Sequence, residues 1–329
     1  MSVVVTGGAG YIGSHAVKAL RAAGADVVIY DNLSAGHRGA ADATGARLEV
    51  GDIHDVARLR DVLTRHGADA VMHFAAWLSV PDSVGDPLGY YGNNVDGALA
   101  VLRAMADAGA KHFIFSSTAA TFGNPVQTPI TEDHPQQPIN PYGETKLAVE
   151  RALPHIERAH GIRWTALRYF NAAGADPDGM LGEDHDPETH VVPRAIDAAL
   201  GRATFAMFGC DYDTPDGSCL RDYIHVTDLA SAHVLALDAL RSGAPSAAYN
   251  LGNGRPTSVR EVIASVERVT GRKVPVAVGD RRPGDPAVLF ASSDRIRRAL
   301  GWRPAYEALD VIVETAYRWR AAHPDGYGD

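Results

Sequence analysis

The chain has 329 residues, 46% of them apolar, which is enough to bury one large core or two modest ones. A formal charge of −9 excludes a general nucleic-acid binder but leaves room for a local basic cleft around an anionic ligand. Cys210 and Cys219 form neither a disulfide framework nor a zinc pattern, no apolar run reaches the roughly 18 to 20 residues of a membrane span, and no signal-peptide pattern precedes Val3; the expectation is a soluble cytoplasmic protein with no metal requirement and no membrane partner.

Along the first half, short apolar runs alternate with amphipathic stretches. Strands are predicted at Val3 to Thr6, Val27 to Asp31, Arg47 to Asp52, Ala70 to Ala75, His112 to Ser117 and Trp164 to Phe170. Helices are predicted between them at 13–23, 54–66, 89–108 and 141–160. Strands this apolar, separated by helices, imply a parallel sheet covered on both faces. That is an α/β, doubly wound architecture of the Rossmann type, whose ligands bind beyond the carboxyl ends of the strands.

The rhythm weakens after Asn171. Residues 172–188, rich in Gly, Pro and Asp, read as a long loop. Helices follow at 191–200, within 223–240 after a short strand, at 256–271, at 294–300 and at 309–321. The expected division is a dinucleotide-binding domain over 1–171, joined by part of 222–245, and a smaller C-terminal α/β substrate domain over most of 172–329.

The segment Thr6-Gly7-Gly8-Ala9-Gly10-Tyr11-Ile12-Gly13 lies between a predicted strand and a predicted helix. Gly7, Gly10 and Gly13 permit a tight turn, backbone approach to a pyrophosphate and close helix packing, and the helix start offers amides to phosphate charge. Asp31 ends the second strand, 21 residues after Gly10, where a carboxylate accepts from ribose hydroxyls and favours NAD over NADP. Asp52, after the third strand, is either an adenine contact or a helix-start cap.

Tyr142 and Lys146 open the helix after Pro141, four residues apart and therefore on one face. A free phenol ionises near pH 10, so work near neutrality needs a shift of about three units, about 4 kcal/mol. A lysine ammonium and a positive nicotinamide ring together favour the phenolate. Ser116-Ser117-Thr118 ends the fifth strand, where Thr118 can orient a reacting oxygen.

Together with these motifs, His73-Phe74-Ala75-Ala76, Arg168-Tyr169-Phe170-Asn171 and Arg221-Asp222-Tyr223-Ile224-His225-Val226 resemble those of the UDP-glucose (UDP-galactose) 4-epimerases, within the extended short-chain dehydrogenase/reductase family. The likeness runs through to His323-Pro324-Asp325-Gly326-Tyr327. It implies tightly held NAD, a UDP-sugar substrate and a homodimer. Tyr142 would be the base and acid, Lys146 the nicotinamide-ribose ligand, and Thr118 the assisting hydroxyl. Cofactor contacts implied beside these are Gly7, Gly10, Tyr11, Ile12, Gly13, Asp31 and Asn32, then Asp52, Ile53, Phe74, Ala75, Ala76, Asn93, Ser116 and Phe170. On the substrate side the likeness points to Asn171, His190, Phe208, Arg221, Arg282, Asp285 and Leu289.

Two departures stand out. Leu78 takes the place of a lysine common near the cofactor, and Pro81 that of a glycine. His190 stands where such enzymes often have a substrate-facing asparagine, and is either a sugar contact or an ordinary packed histidine. Leu289 is either a pocket gate or a core residue. The implied reaction is 4-epimerisation through a 4-keto intermediate, with UDP-N-acetylhexosamine, UDP-glucuronate or UDP-pentose as alternative substrates. A sugar-nucleotide dehydratase needs further acid and base groups after the fifth strand, where this chain has Ala119 and Ala120. A catalytically silent NAD-binding protein would not need the Tyr142, Lys146 and Thr118 set.

Overall fold

Val3, Val4 and Val5 are all buried, although their side chains alternate between the faces of a strand, so the first strand must be covered on both sides. The computed structural model describes residues 1–282 and 286–328 and shows how the covering is done. In chain order the first half runs β1 (Ser2–Thr6), α1 (Tyr11–Ala22), β2 (Asp26–Asp31), α2 (Arg38–Thr44), β3 (Arg47–Val50), α3 (Val56–Arg65) and β4 (Ala68–His73). It continues with α4 (Val80–Gly85), α5 (Pro87–Tyr90), a π-helical turn (Tyr91–Asp96), α6 (Gly97–Ala108), β5 (His112–Thr118), α7 (Pro141–His160) and β6 (Arg163–Tyr169). The second half adds β7 (Asn171–Ala173), α8 (Val191–Ala199), β8 (Phe205–Phe208), β9 (Leu220–Arg221), β10 (Tyr223–His225), α9 (Val226–Arg241), β11 (Ala247–Leu251) and β12 (Thr257–Ser258). The last elements are α10 (Val259–Thr270), β13 (Val276–Gly279), β14 (Val288–Leu289), α11 (Asp294–Leu300) and α12 (Leu309–Ala322).

Seven strands form one all-parallel sheet in the order β11-β6-β5-β4-β1-β2-β3. The order reverses at β1, and the carboxyl ends of β1 and β4 frame the crevice that doubly wound folds use for ligands. On one face Val3, Val5, Ile29 and Met72 pack with Val17 and Leu20 of α1 and Leu229 and Leu237 of α9. On the other, Val4, Val28 and Val71 pack with Leu59 of α3, Val101 of α6 and Val149 of α7. The third core, Val192, Ile196, Met207, Val262 and Ile312, lies in the second half, where α8, α10 and α12 cover small sheets.

The sheet reaches further along the chain than the expected 222–245 segment: β11, pairing with β6, carries it to Leu251. The predicted helix over 89–108 is divided into α5, the π-helical turn and α6. The physical reason is Asn94, buried in that turn, whose amide exchanges hydrogen bonds with both the N–H and the carbonyl of Trp77 at 2.8 and 3.0 Å. Widening the helix there aims a polar side chain inward, a common use of a π turn. α7 keeps its expected bounds, capped by the Asn140 carbonyl oxygen, which accepts from Gly143 N–H at 2.8 Å. No described helix is long and apolar enough to cross a membrane.

Candidate active site

The glycine loop between β1 and α1 is set by contacts that exclude side chains. Gly7 sits at φ +71°, and a Cβ there would lie 2.5 Å from Ala75 N. A Cβ on Gly13 would lie 2.1 Å from the Gly7 carbonyl oxygen. The start of α1 has no side-chain cap and no acidic residue in its first turn. Its amides therefore face the crevice with only the helix dipole's positive end, which suits a pyrophosphate. Asp31, at the end of β2, braces this loop: its carboxylate accepts from Ala9 N–H at 3.0 Å and Leu33 N–H at 2.9 Å. Burial raises its carboxyl above the usual range, against the pull of those two amides.

These elements open on one cleft. Of the residues expected to hold cofactor, its walls bring together Gly7, Gly10, Tyr11, Ile12, Gly13, Asp31, Asn32, Ile53, Phe74, Ala75, Ala76, Asn93, Ser116, Tyr142 and Lys146. Asp52 and Phe170 are not among these walls. Asp52 is instead occupied with the N–H and ring of His54, at 2.9 and 2.7 Å, and with Asn32 at 3.1 Å. The cap of α3 is Asp55, which accepts from Arg58 N–H. Leu78 also lines the cleft, with Trp77 beside it.

Tyr142 and Lys146 meet at the floor. Lys146 is buried and donates to the Ser116 carbonyl at 2.9 Å, with its Nζ 6.0 Å from the centre of the Tyr142 ring. The Thr118 hydroxyl accepts from Ala120 N–H at 3.2 Å and stands close enough to the Tyr142 phenol to favour its ionised form. Burial outweighs this and pushes the phenol up to about 12. Burial also brings Lys146 down to about 7, opposed by Glu150 one helical turn on. The protein's own groups thus do not offset burial at the phenol by themselves, and further positive charge has to reach it, as the joint role of lysine and nicotinamide ring requires. Glu150 is held by Arg168, whose Nε and Nη2 donate to it at 3.0 and 2.6 Å, and by Ser117 Oγ. This ties α7 to β5 and β6 and fixes the height of the Tyr–Lys pair above the sheet.

The described substrate-side residues fall into four places. His190 lines the same cleft. Arg221 and Leu289 are paired neighbours in β9 and β14, and Arg221 Nη1 donates to the carbonyls of Leu220 and Pro286 at 2.9 and 2.8 Å. The Arg282 guanidinium stands 4.0 Å over the Phe208 ring. Asn171 begins β7, its N–H donating to the Asp222 carbonyl at 3.0 Å. Asp285 lies outside the described residues. Sequence reasoning missed Tyr30, Ser34, Ala35, Gly51, Tyr169, Ala172 and His185 as walls. Most of these carry no pattern beyond strand or turn residues; His185 had a signal, a His-and-Glu-rich stretch from Glu183 to His190.

A doubly wound sheet with an uncapped glycine turn, an acidic end to β2, and a half-buried tyrosine beside a buried lysine on one cleft defines a dinucleotide-dependent enzyme of the short-chain dehydrogenase/reductase type. Residues 3–252 match the model of the NAD dependent epimerase/dehydratase family. The chain is 50% identical over 330 residues to the UDP-glucose 4-epimerase of Lacticaseibacillus casei, covering 100% of this chain and 99% of that protein. It is 51% identical over 329 residues to the UDP-glucose 4-epimerase of Halalkalibacterium halodurans, covering 99% and 98%. The structure of the Brucella ovis UDP-glucose 4-epimerase in complex with NAD superposes with a TM-score of 0.93 at 50% identity, covering 96% of this chain and 97% of that one. The chain belongs to the NAD dependent epimerase/dehydratase family.

Proposed function

We propose that this protein interconverts UDP-galactose and UDP-glucose through a 4-keto intermediate, with NAD as its cofactor. The observation that carries the reading is the Tyr142 and Lys146 pair lining a dinucleotide cleft, with Thr118 beside the phenol at the end of β5. Half-identity to UDP-glucose 4-epimerases along essentially the whole chain supports it. Bound NAD supplies a reversible hydride acceptor. Tyr142 takes the proton of the C4 hydroxyl and later returns it, while the Thr118 hydroxyl orients the reacting oxygen. Lys146 holds the nicotinamide ribose and supplies part of the charge that ionises Tyr142. Asp31 takes the adenosine ribose hydroxyls, with the uncapped start of α1 on the pyrophosphate.

On the sugar-nucleotide side, Arg221 and Arg282 suit a diphosphate because each guanidinium presents a planar fork of donors. Asn171, Phe208, His190 and Leu289 complete the walls around uridine and sugar. We also assign the protein to the cytoplasm, where its two thiols stay reduced. A homodimer is supported by exposed apolar side chains grouped on α4 and α5, with Val84 65% and Leu88 86% exposed.

The test is conversion of a panel of UDP-sugars with no added NAD, using the wild type and Tyr142→Phe. UDP-galactose should be the best substrate. The variant should lose about two to four orders of magnitude in turnover while still binding UDP, as loss of a general base requires. Near-normal turnover by the variant would place the base elsewhere.

A further inference from the structure

The loop between β7 and α8 gathers four metal-ligating side chains at one point beside the cleft. Glu183, His185, Glu188 and His190 each present a ligand atom, and the four atoms lie within 4.8 Å of one another. His185 Nδ1 is 3.3 Å from Glu183 Oε1 and 3.7 Å from Glu188 Oε2. His190 Nδ1 meets the same Glu183 oxygen. A tetrahedral zinc site with bonds of about 2.0 to 2.2 Å has ligand-to-ligand edges of roughly 3.4 Å. The separations already bracket that edge, and the widest pair has to close by only about 1.4 Å.

The hydrogen bonding points the same way. His185 Nδ1 and Glu188 Oε2 are both shut off from solvent and have no hydrogen-bond partner. The Glu188 side chain is only 8% exposed. Its other oxygen accepts from the N–H groups of Thr189 and His190, both at 2.8 Å, and this turns Oε2 into the cluster. Arg320 Nη1 forms only a long 3.9 Å ion pair with Oε2, since Nη1 donates to the Glu183 carbonyl at 3.4 Å while Nε and Nη2 hold Asp197 at 2.6 and 2.5 Å. A buried carboxylate oxygen and an imidazole nitrogen aimed at one point, neither hydrogen-bonded, call for an occupant that both can ligate. Two imidazoles and two carboxylates are a borderline-to-hard donor set, and two negative charges balance a divalent ion.

We propose that Glu183, His185, Glu188 and His190 form a binding site for a divalent transition-metal ion of the zinc class. The ion would be structural. His185 and His190 line the cleft, and His190 is also the N-cap residue of α8. The His185 ring meets Tyr11 edge-on, and the Tyr11 hydroxyl donates to the Gly174 carbonyl at 2.6 Å. Metal here would staple the loop that joins the sheet to the second-half helices.

The test uses the full-length protein with its bound nucleotide, stripped with a chelator, desalted, and titrated with Co²⁺ and then Zn²⁺. The expected result is a visible Co²⁺ absorption that saturates at a single equivalent per chain, is displaced by Zn²⁺, and accompanies a rise in melting temperature with Zn²⁺. His185→Gln combined with His190→Gln should abolish the band, and Glu188→Gln alone should weaken Co²⁺ binding by at least about tenfold. A wild-type protein that shows no saturable band would overturn the site. So would undiminished uptake by a folded double-histidine variant, which would put the ion on the nucleotide phosphates instead.

Discussion

Replacing Lys146 by methionine tests the electrostatic balance at Tyr142, because it removes the charge while keeping the length of the side chain. Burial holds the phenol at about 12, so ionising it at pH 7 costs about 7 kcal/mol, or five pKa units. Lys146 Nζ is 6.0 Å from the phenol ring centre, and although burial brings the lysine down to about 7, a phenolate at that distance favours its ammonium form. At an effective dielectric of about 20, the attraction is about 3 kcal/mol, which corresponds to about two units. The other three must come from the cofactor's positive ring. Lys146→Met should therefore move the acid limb of the kcat profile upward by about two units and lower turnover at pH 7 about 100-fold, with recovery of about tenfold per pH unit as pH rises. The assay is UDP-galactose conversion from about pH 6 to about pH 10, normalised to bound nucleotide. A loss of similar size at every pH, with the acid limb unmoved, would refute the electrostatic role and leave Lys146 as a ribose ligand only.

The glycine loop makes a second prediction: in Gly13→Ala the new methyl meets the Gly7 carbonyl at 2.1 Å, so the loop must shift. The variant should lose about 1 to 3 kcal/mol of stability and release its nucleotide on desalting; retention of a full equivalent would show the loop does not hold it. A third concerns acid lability. Burial depresses His15 and His233 to about 4, and His73 and His225 to about 3, from 6.5. Below 6.5 the unfolded chain binds protons that the native state refuses, so the stability these residues contribute is complete above that pH and is lost as pH falls toward their native values. Each should cost about 2 kcal/mol by pH 5, seen as a steep fall in the urea midpoint between pH 7 and pH 5; a level midpoint would show that these rings take up protons while folded.

The parts of the fold that could be read in advance are those where local pattern and tertiary burial agree. β1, β2, β4, β5 and β6 are buried on both faces, so their apolar runs stand out, and α7 has its Pro141 start and Gly161 stop written into the chain. β11 was not legible, because Ala247, Ala248 and Asn250 make a weak strand alone and only pairing with β6 recruits them. The interruption at 91–96 was hidden because Gly92, Asn93 and Asn94 read as the polar side of a continuous helix, and Asn94 declares itself only against Trp77. The same division applies to the site. Gly7, Asp31, Tyr142 and Lys146 sit at spacings that their chemistry dictates. Arg221, Leu289, Arg282 and Phe208 come from short strands and loops whose pairings are long-range, so resemblance alone pointed to them. The opposite shifts at Tyr142 and Lys146 could not be read at all, since burial depth is a property of the folded cleft.

Epimerisation by hydride transfer requires that the hydrogen at C4 leave the sugar and return to the same carbon. UDP-galactose deuterated at C4 tests it most directly, converted by the purified enzyme with no added NAD and analysed by mass spectrometry and proton NMR. The expected product is UDP-glucose that retains the deuterium at C4, with none appearing in water and no net consumption of nucleotide. Product that has exchanged its C4 label with solvent would contradict it, because the inversion would then proceed by proton abstraction at carbon rather than by hydride transfer and return.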